Sequence, residues 1–216
     1  MSSWPSRLSE PVRLRSAALG ELWLQRASWR QPLPRALMRL ERGRLLLAFV
    51  PAVLVIAGTA GLLLFAALPR ALADAYPAAL SLLWPLWVVH VAPVAAALLL
   101  SLQRAPSLAL ELLQRQQRGE FAALALLGSC PSVYPCLPLL VAHAAVAAAA
   151  ASLMIAGSLL AGAIVALAGG VGDIRSLLDA VFSLVSPIDW LRGLGSAAVF
   201  GGLGSLAVML CVPGQA

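Results

Sequence analysis

The residues best suited to acid–base, nucleophilic or metal chemistry are scattered along this chain of 216 residues. The two histidines, His90 and His143, are far apart in the sequence. Cys130 and Cys136 form the only close cysteine pair, and their spacing matches no zinc or redox motif. The chain also lacks the G-x-x-x-x-G-K-[ST] loop that binds nucleotide phosphates. These patterns predict neither a catalytic residue nor a metal site.

A polar stretch at residues 111–120, ELLQRQQRGE, lies between two long uncharged segments. Glu111 and Arg115 have the i, i+4 spacing of a stabilising helical ion pair. Gly119 then interrupts the helix, because glycine weakens helical structure. The spacing predicts a cytoplasmic helix that ends near this glycine.

A second short helix is predicted at residues 119–127, where Phe121, Leu124 and Leu127 share one face. Gly128 and Pro131 follow, and both are helix-stop signals. A short amphipathic helix held between membrane spans offers a surface to a soluble partner. The alternative is an interfacial helix that touches only lipid.

The composition identifies a membrane protein. Hydrophobic residues make up 61% of the chain and charged residues 11%, with a mean hydropathy of +0.91, against roughly 45–50% apolar residues in soluble domains. All fifteen basic residues are arginine. Nucleic-acid binding is not expected, because the basic residues flank apolar segments where they favour anionic lipid headgroups.

The uncharged segments predict transmembrane helices, each of which needs about 20 apolar residues. The third segment would form a helix of about 54 Å, so it is either one tilted or broken span or two short spans. The predicted spans are about 45–68, 77–102, 137–172 and 190–213.

Charge placement decides between one and two crossings at 137–172, because short cytoplasmic segments accumulate arginine. Residues 1–44 carry nine Arg and three Glu, and residues 103–136 carry three Arg and two Glu. Residues 69–76 have no net charge, and residues 173–189 have a net charge of −2. The signs alternate only if 137–172 crosses once. We therefore predict a multi-pass protein of the bacterial cytoplasmic (inner) membrane with both termini in the cytoplasm.

The predicted fold class is all-α integral membrane, with two regions. Residues 1–44 form a cytoplasmic or interfacial amphipathic segment, in which Arg35, Arg39 and Arg42 share one helical face. A disordered basic tail is the alternative. Residues 45–216 form the transmembrane domain, with the cytoplasmic loop at 103–136.

The second predicted span is rich in proline, with Pro77, Pro85 and Pro93, and must kink or re-enter the membrane. His90 is a candidate site residue, because ionisable groups are expensive at membrane depth. The alternative is a neutral imidazole bonded to a carbonyl that proline frees. His143 is expected to contact polar groups at the cytoplasmic boundary.

The third and fourth spans are rich in small residues, including Gly157 and Gly162, then Gly201 with Ser205. Small residues let helices approach closely in lipid. Both spans are therefore expected to pack against other helices.

The central sequence "VHVAPVAAALLLSLQRAPSLALELLQRQQRGEFAALALLGSCPSVYPCLP" resembles the MlaE-type permeases, the membrane subunits of ABC lipid transporters that work with MCE-domain proteins. The resemblance covers about residues 45 to 214. Positions in register with the family motif are Pro93, Glu111, Ala123, Leu124, Gly128, Pro131, Tyr134 and Pro138. Further matches are Asp189, Gly193, Phe200, Gly201 and the CVPG at 211–214.

The chain departs from this family in its polar motif residues. The differing positions are His90 for a family Glu, Gln103 beside Arg104 for its Arg, Arg115 for its Met, and Gly119 with Glu120 for its Glu-Gln pair. The sequence ends at Ala216, where relatives continue into a fifth transmembrane helix. A divergent permease half that pairs with a better-preserved one is the resulting expectation.

The resemblance implies a permease subunit that moves phospholipid or another hydrophobic lipid across or out of the inner membrane, as half of a permease dimer. It implies no enzymatic activity and no directly bound cofactor, since ATP is hydrolysed on a partner subunit. The implied partners are an ATP-binding cassette ATPase, a second MlaE-type permease, an MCE-domain protein and lipids. A non-transporting structural or regulatory subunit is the alternative, and a membrane-embedded lipid-modifying enzyme is less favoured.

The resemblance also suggests two groups of site residues. The ATPase-coupling group comprises Glu111, Arg115, Arg118, Glu120, Phe121 and Leu124. The substrate-path or structural group comprises His90, Pro93, Gln103, Arg104, Tyr134 and Phe200.

Overall fold

The computed structural model describes residues 32–126, 133–168 and 174–211, and these residues contain helices and no strand. The predicted all-α fold is therefore confirmed. Its α-helices are α1 (Pro32–Leu62), α2 (Leu68–Leu72), α3 (Tyr76–Leu86), α4 (Ala92–Gln117), α5 (Glu120–Leu126), α6 (Val133–Ala168), α7 (Ile174–Ser183) and α8 (Pro187–Cys211).

Within the described residues, four helical segments are long and apolar enough to cross a membrane. They are Leu40–Leu72, Tyr76–Gln117, Pro138–Val165 and Pro187–Met209, the first to fourth spans. The third span lies within the single helix α6, which is compatible with the predicted single crossing of the long uncharged segment. Because α6 has 36 residues, its length of about 54 Å exceeds the hydrocarbon core by about 24 Å.

The first and second spans each contain a wide π-helical turn, at Leu63–Ala67 and Trp87–Val91. The backbone N–H of Ala92 bonds to the carbonyl of Trp87, five residues earlier. Each π turn ends two residues before a proline, Pro69 or Pro93. A proline ring collides with the carbonyl four residues before it, and a wider turn moves that carbonyl aside. The second span is thus a continuous, locally widened helix and not a re-entrant loop.

The N-terminal arginines at positions 35, 39 and 42 lie in α1, which begins at Pro32 and continues without a break into the first span. Proline is well suited to a helix start, because its missing N–H would be unpaired there in any case. Residues 1–31 of the predicted amphipathic segment lie outside the described residues.

The small residues of the third span let α6 pack closely on α1 and α8. A Cβ on Gly61 of α1 would lie 2.5 Å from the Ser158 carbonyl oxygen of α6, and one on Gly157 would lie 2.7 Å from the Ala57 Cβ. Where α8 crosses α6, a Cβ on Gly201 would lie 2.5 Å from the Ala147 Cβ. The two small-residue spans therefore pack against each other within one chain.

We expect Gly201→Leu to lower the thermal stability of the detergent-purified chain by several degrees. The new side chain must displace Ala147 or the His143 carbonyl, which is 3.2 Å from the Cβ position, and overpacking costs about 1–3 kcal/mol. Gly195→Leu is the matched control on the same helix, since no atom lies within 4 Å of its Cβ position. Equal melting temperatures for the two variants would contradict this close packing.

The start of the fourth span is fixed by a reciprocal cap. The Ser186 hydroxyl accepts the backbone N–H of Asp189 at 3.2 Å and donates to the Asp189 carboxylate at 2.7 Å. Pro187 occupies the first position of α8. The negative charge of this carboxylate also interacts favourably with the positive end of the helix dipole.

The charge alternation predicts that the part of α4 beyond the predicted second span, which includes Ser107, is cytoplasmic. It predicts that α7 lies on the opposite side of the membrane. In a cysteine-free background, we expect a cysteine at Ser107 to react with a membrane-impermeant reagent from the cytoplasmic side, and one at Ser176 from the other side. Reaction of both positions from the same side would contradict four crossings, because an odd number of spans separates the two positions.

Candidate functional site

A cluster of charged side chains joins the start of the first span to the middle and the C-terminal half of α4. The Arg104 guanidinium forms an ion pair with Glu41 of α1, and it lies 3.5 Å from the Glu111 carboxylate two turns further along α4. The side chains of Arg104 and Glu41 are only 13% and 18% exposed. At this burial an unpaired charge is costly, so the pairing holds the two spans together.

Glu111 also bonds to Arg115 at 2.8 Å, with the i, i+4 spacing that the sequence indicates. The four side chains Glu41, Arg104, Glu111 and Arg115 thus carry two positive and two negative charges. Below this cluster, Leu108 and Leu112 are buried with Leu139 and Met209. The cluster therefore links α1 to α4 at one end of the bundle without adding net charge.

His143 lies on α6 beside this cluster and is 2% exposed. Its ring Nδ1 is 2.7 Å from the carbonyl oxygen of Leu139, one turn earlier. A small pocket between α4, α6 and α8 is lined by the polar residues His143, Arg104, Ser101 and Ser205, and by apolar residues of the same helices, among them Leu100, Leu108 and Val208. His143 thus contacts polar groups, as predicted, and its location at the cytoplasmic boundary stays a prediction.

The link between α4 and α5 is built by a single left-handed glycine. Gly119 has a φ of 71°, and its N–H bonds to the carbonyl of Gln116 at 3.0 Å. Glycine adopts this conformation without steric cost, so it ends α4 and lets α5 start in a new direction. The break predicted at Gly119 is therefore present.

The predicted coupling residues lie on both sides of this glycine. Arg118 and Glu120 approach to 3.9 Å, with side chains 71% and 44% exposed, so their pairing contributes little to stability. Phe121 and Leu124 belong to α5, but their side chains lie outside the described part of the structure.

The predicted substrate-path residues are dispersed over the spans. His90, in the π turn of the second span, is exposed, as are Gln103 on α4 and Phe200 on α8. Pro93 is buried against α8, where a Cβ on Gly193 would lie 3.5 Å from its ring. Tyr134 belongs to α6, and its side chain lies outside the described residues.

Of these candidates, the structure brings together Arg104, Glu111 and Arg115, and it adds Glu41 and His143 to them. Glu41 is not among the site residues predicted from the sequence, because it lies in a segment predicted to be interfacial. Its helical spacing from Leu45 and Phe49, both buried, is the signal that would have placed it on the inward face of α1. Among the described residues, no group of three histidine, cysteine or acidic side chains could hold a metal ion.

The fold and the site define a multi-pass α-helical membrane protein with a polar cluster at one end of its bundle. The sequence model of the family described as Permease MlaE matches residues 43–214. The chain therefore belongs to the MlaE permease family, whose membership implies a permease subunit of an ABC transporter for lipids. Comparison with curated proteins and with solved structures returns no match.

Proposed function

We propose that this chain moves phospholipid or another hydrophobic lipid across or out of the bacterial inner membrane, as one half of a permease dimer. An ATP-binding cassette ATPase binds its cytoplasmic loop, and an MCE-domain protein exchanges lipid with it. The match to the permease family over residues 43–214 carries this proposal.

The geometry of α4 supports coupling to a soluble ATPase. This helix runs from Ala92, beside the π turn, to Gln117, and α5 follows after Gly119. A force applied to α5 therefore reaches Pro93 through one helix. Glu111 and Arg115 stiffen the helix near its cytoplasmic end, while Arg118 and Glu120 offer exposed charges that orient a partner.

Two exposed side chains support a lipid path beside a second permease. His90 is exposed on the second span and Phe200 on the fourth. An exposed imidazole within a span is costly against lipid tails, so it requires a protein partner or a hydrated cavity. We propose that His90 faces such a cavity at the dimer interface and contacts the polar part of the lipid, while Phe200 packs against the acyl chains.

Affinity purification of the tagged chain from native membranes tests this function. We expect an ATPase, a second permease and an MCE-domain protein to co-purify, and the reconstituted complex to transfer fluorescent phospholipid between vesicles in an ATP-dependent manner. A complex that assembles and hydrolyses ATP without transferring lipid would instead identify a structural or regulatory subunit.

A further inference from the structure

Two buried nitrogen atoms belong to residues that line one small pocket, at the end of the bundle where the charge alternation predicts the cytoplasm. His143 Nε2 and Arg104 Nε find no hydrogen-bond partner among the described residues. Both residues line the pocket between α4, α6 and α8, together with the hydroxyl-bearing Ser101 and Ser205. A buried polar group without a partner is costly, so each of these atoms calls for a ligand.

The hydrogen bond at the other ring nitrogen determines whether the ligand must donate or accept at Nε2. The Leu139 carbonyl oxygen, 2.7 Å from Nδ1, can only accept, so Nδ1 carries a proton. In the neutral ring Nε2 is then an acceptor, whereas Arg104 Nε is always a donor. A ligand between them must donate to one nitrogen and accept from the other.

The charge and size of the pocket limit the ligand further. Arg104 is already neutralised by Glu41 and Glu111, which leaves little positive charge to attract an anion. The volume of the pocket is ≈ 10 Å³, at the lower limit of the roughly 10–15 Å³ that a cavity needs to hold one water. Phosphate is far larger than this space.

We propose that this pocket binds one water molecule, which accepts a hydrogen bond from Arg104 Nε and donates one to His143 Nε2. The water connects the second span to the third, and the Ser101 and Ser205 hydroxyls supply further polar partners. The small size of Gly204 contributes to this site, because a Cβ there would collide with the Ser101 hydroxyl. This site is independent of whether the chain transports lipid.

Nitrogen-15 solid-state NMR of the membrane-reconstituted protein tests the proposal, because the chain has only two histidines. The variants His90→Gln and His143→Gln each remove one imidazole and so assign the signals. We expect His143 to carry its proton on Nδ1, to have an unprotonated Nε2, and to show magnetisation transfer from water to Nε2. Replacing chloride by gluconate is expected to leave both shifts unchanged.

Three results would contradict the proposal that a water is bound in this pocket. Protonation of both ring nitrogens, or shifts that depend on chloride, would show an anion site. A protonated Nε2 with a bare Nδ1 would contradict the tautomer on which the site rests. An unprotonated Nε2 without transfer from water would show a dry pocket.

Discussion

Replacing Arg104 by glutamine is expected to destabilise the protein by about 3 kcal/mol, because removal of one partner leaves a largely buried charge uncompensated. The uncompensated charge is the Glu41 carboxylate, which is only 18% exposed. Glu111 keeps its bond to Arg115, so the loss concentrates at Glu41. Thermal unfolding in nanodiscs, followed by intrinsic tryptophan fluorescence, measures this effect.

A double variant distinguishes the effect of the unpaired Glu41 charge from the effect of losing the packing of the Arg104 side chain. The double variant Glu41→Gln with Arg104→Gln removes both charges, so it is expected to be more stable than Arg104→Gln alone. Arg118→Gln is the control, since its side chain is 71% exposed and 3.9 Å from Glu120, and it is expected to cost at most about 1 kcal/mol. Equal stability of the Arg104 and Arg118 variants would show that the buried cluster contributes nothing.

Truncating Phe121 and Leu124 together to alanine is expected to release the ATPase subunit, or to leave it bound while ATP hydrolysis no longer drives transport. An aromatic anchor buried at an interface is typically worth about 2 kcal/mol or more, so its loss lowers the affinity by about 30-fold or more. Membrane insertion and the lipid content of the complex are expected to stay normal. Co-purification of the ATPase, with ATPase and lipid-transfer assays on the same sample, measures the effect.

Leu126→Ala is the matched control for this double variant. Leu126 is 89% exposed and follows Leu124 by two positions, so it lies on the opposite face of α5. We expect this variant to keep ATPase binding. Wild-type binding and transport by the Phe121 and Leu124 double variant would show that α5 touches only lipid.

A charge reversal at Arg115 is expected to have a smaller, salt-sensitive effect on partner binding.

Local patterns predicted the features that depend on neighbouring residues. The four apolar helical segments, the ion pair of Glu111 with Arg115 and the break at Gly119 follow from composition, helical spacing and glycine chemistry. These properties act over one or two helical turns or over one span. The sequence therefore carries them without knowledge of the packing.

Features that depend on how distant helices meet were not predictable in this way. Glu41 and Arg104 are 63 residues apart, and nothing local indicates that α1 and α4 bring them together. The prolines at 69 and 93 predicted distortion, but a widened helical turn, a kink and a re-entrant loop all satisfy proline. The burial of His143 likewise depends on α4 and α8, which enclose it from two sides.

Arg104 lies near the midpoint of α4, and its ion pair with Glu41 attaches the helix to α1 at that point. Ala92 and Gln117 bound the helix, and they lie about 18 Å and about 20 Å from Arg104 on either side. A rod held near its midpoint moves its two ends in opposite directions by nearly equal amounts. A sideways push at Gln117 is therefore expected to move the Pro93 end in the opposite direction, as far as the buried contacts of Pro93 and Leu100 allow. If the ion pair were instead near Gln117, a push at that end would hardly move the helix.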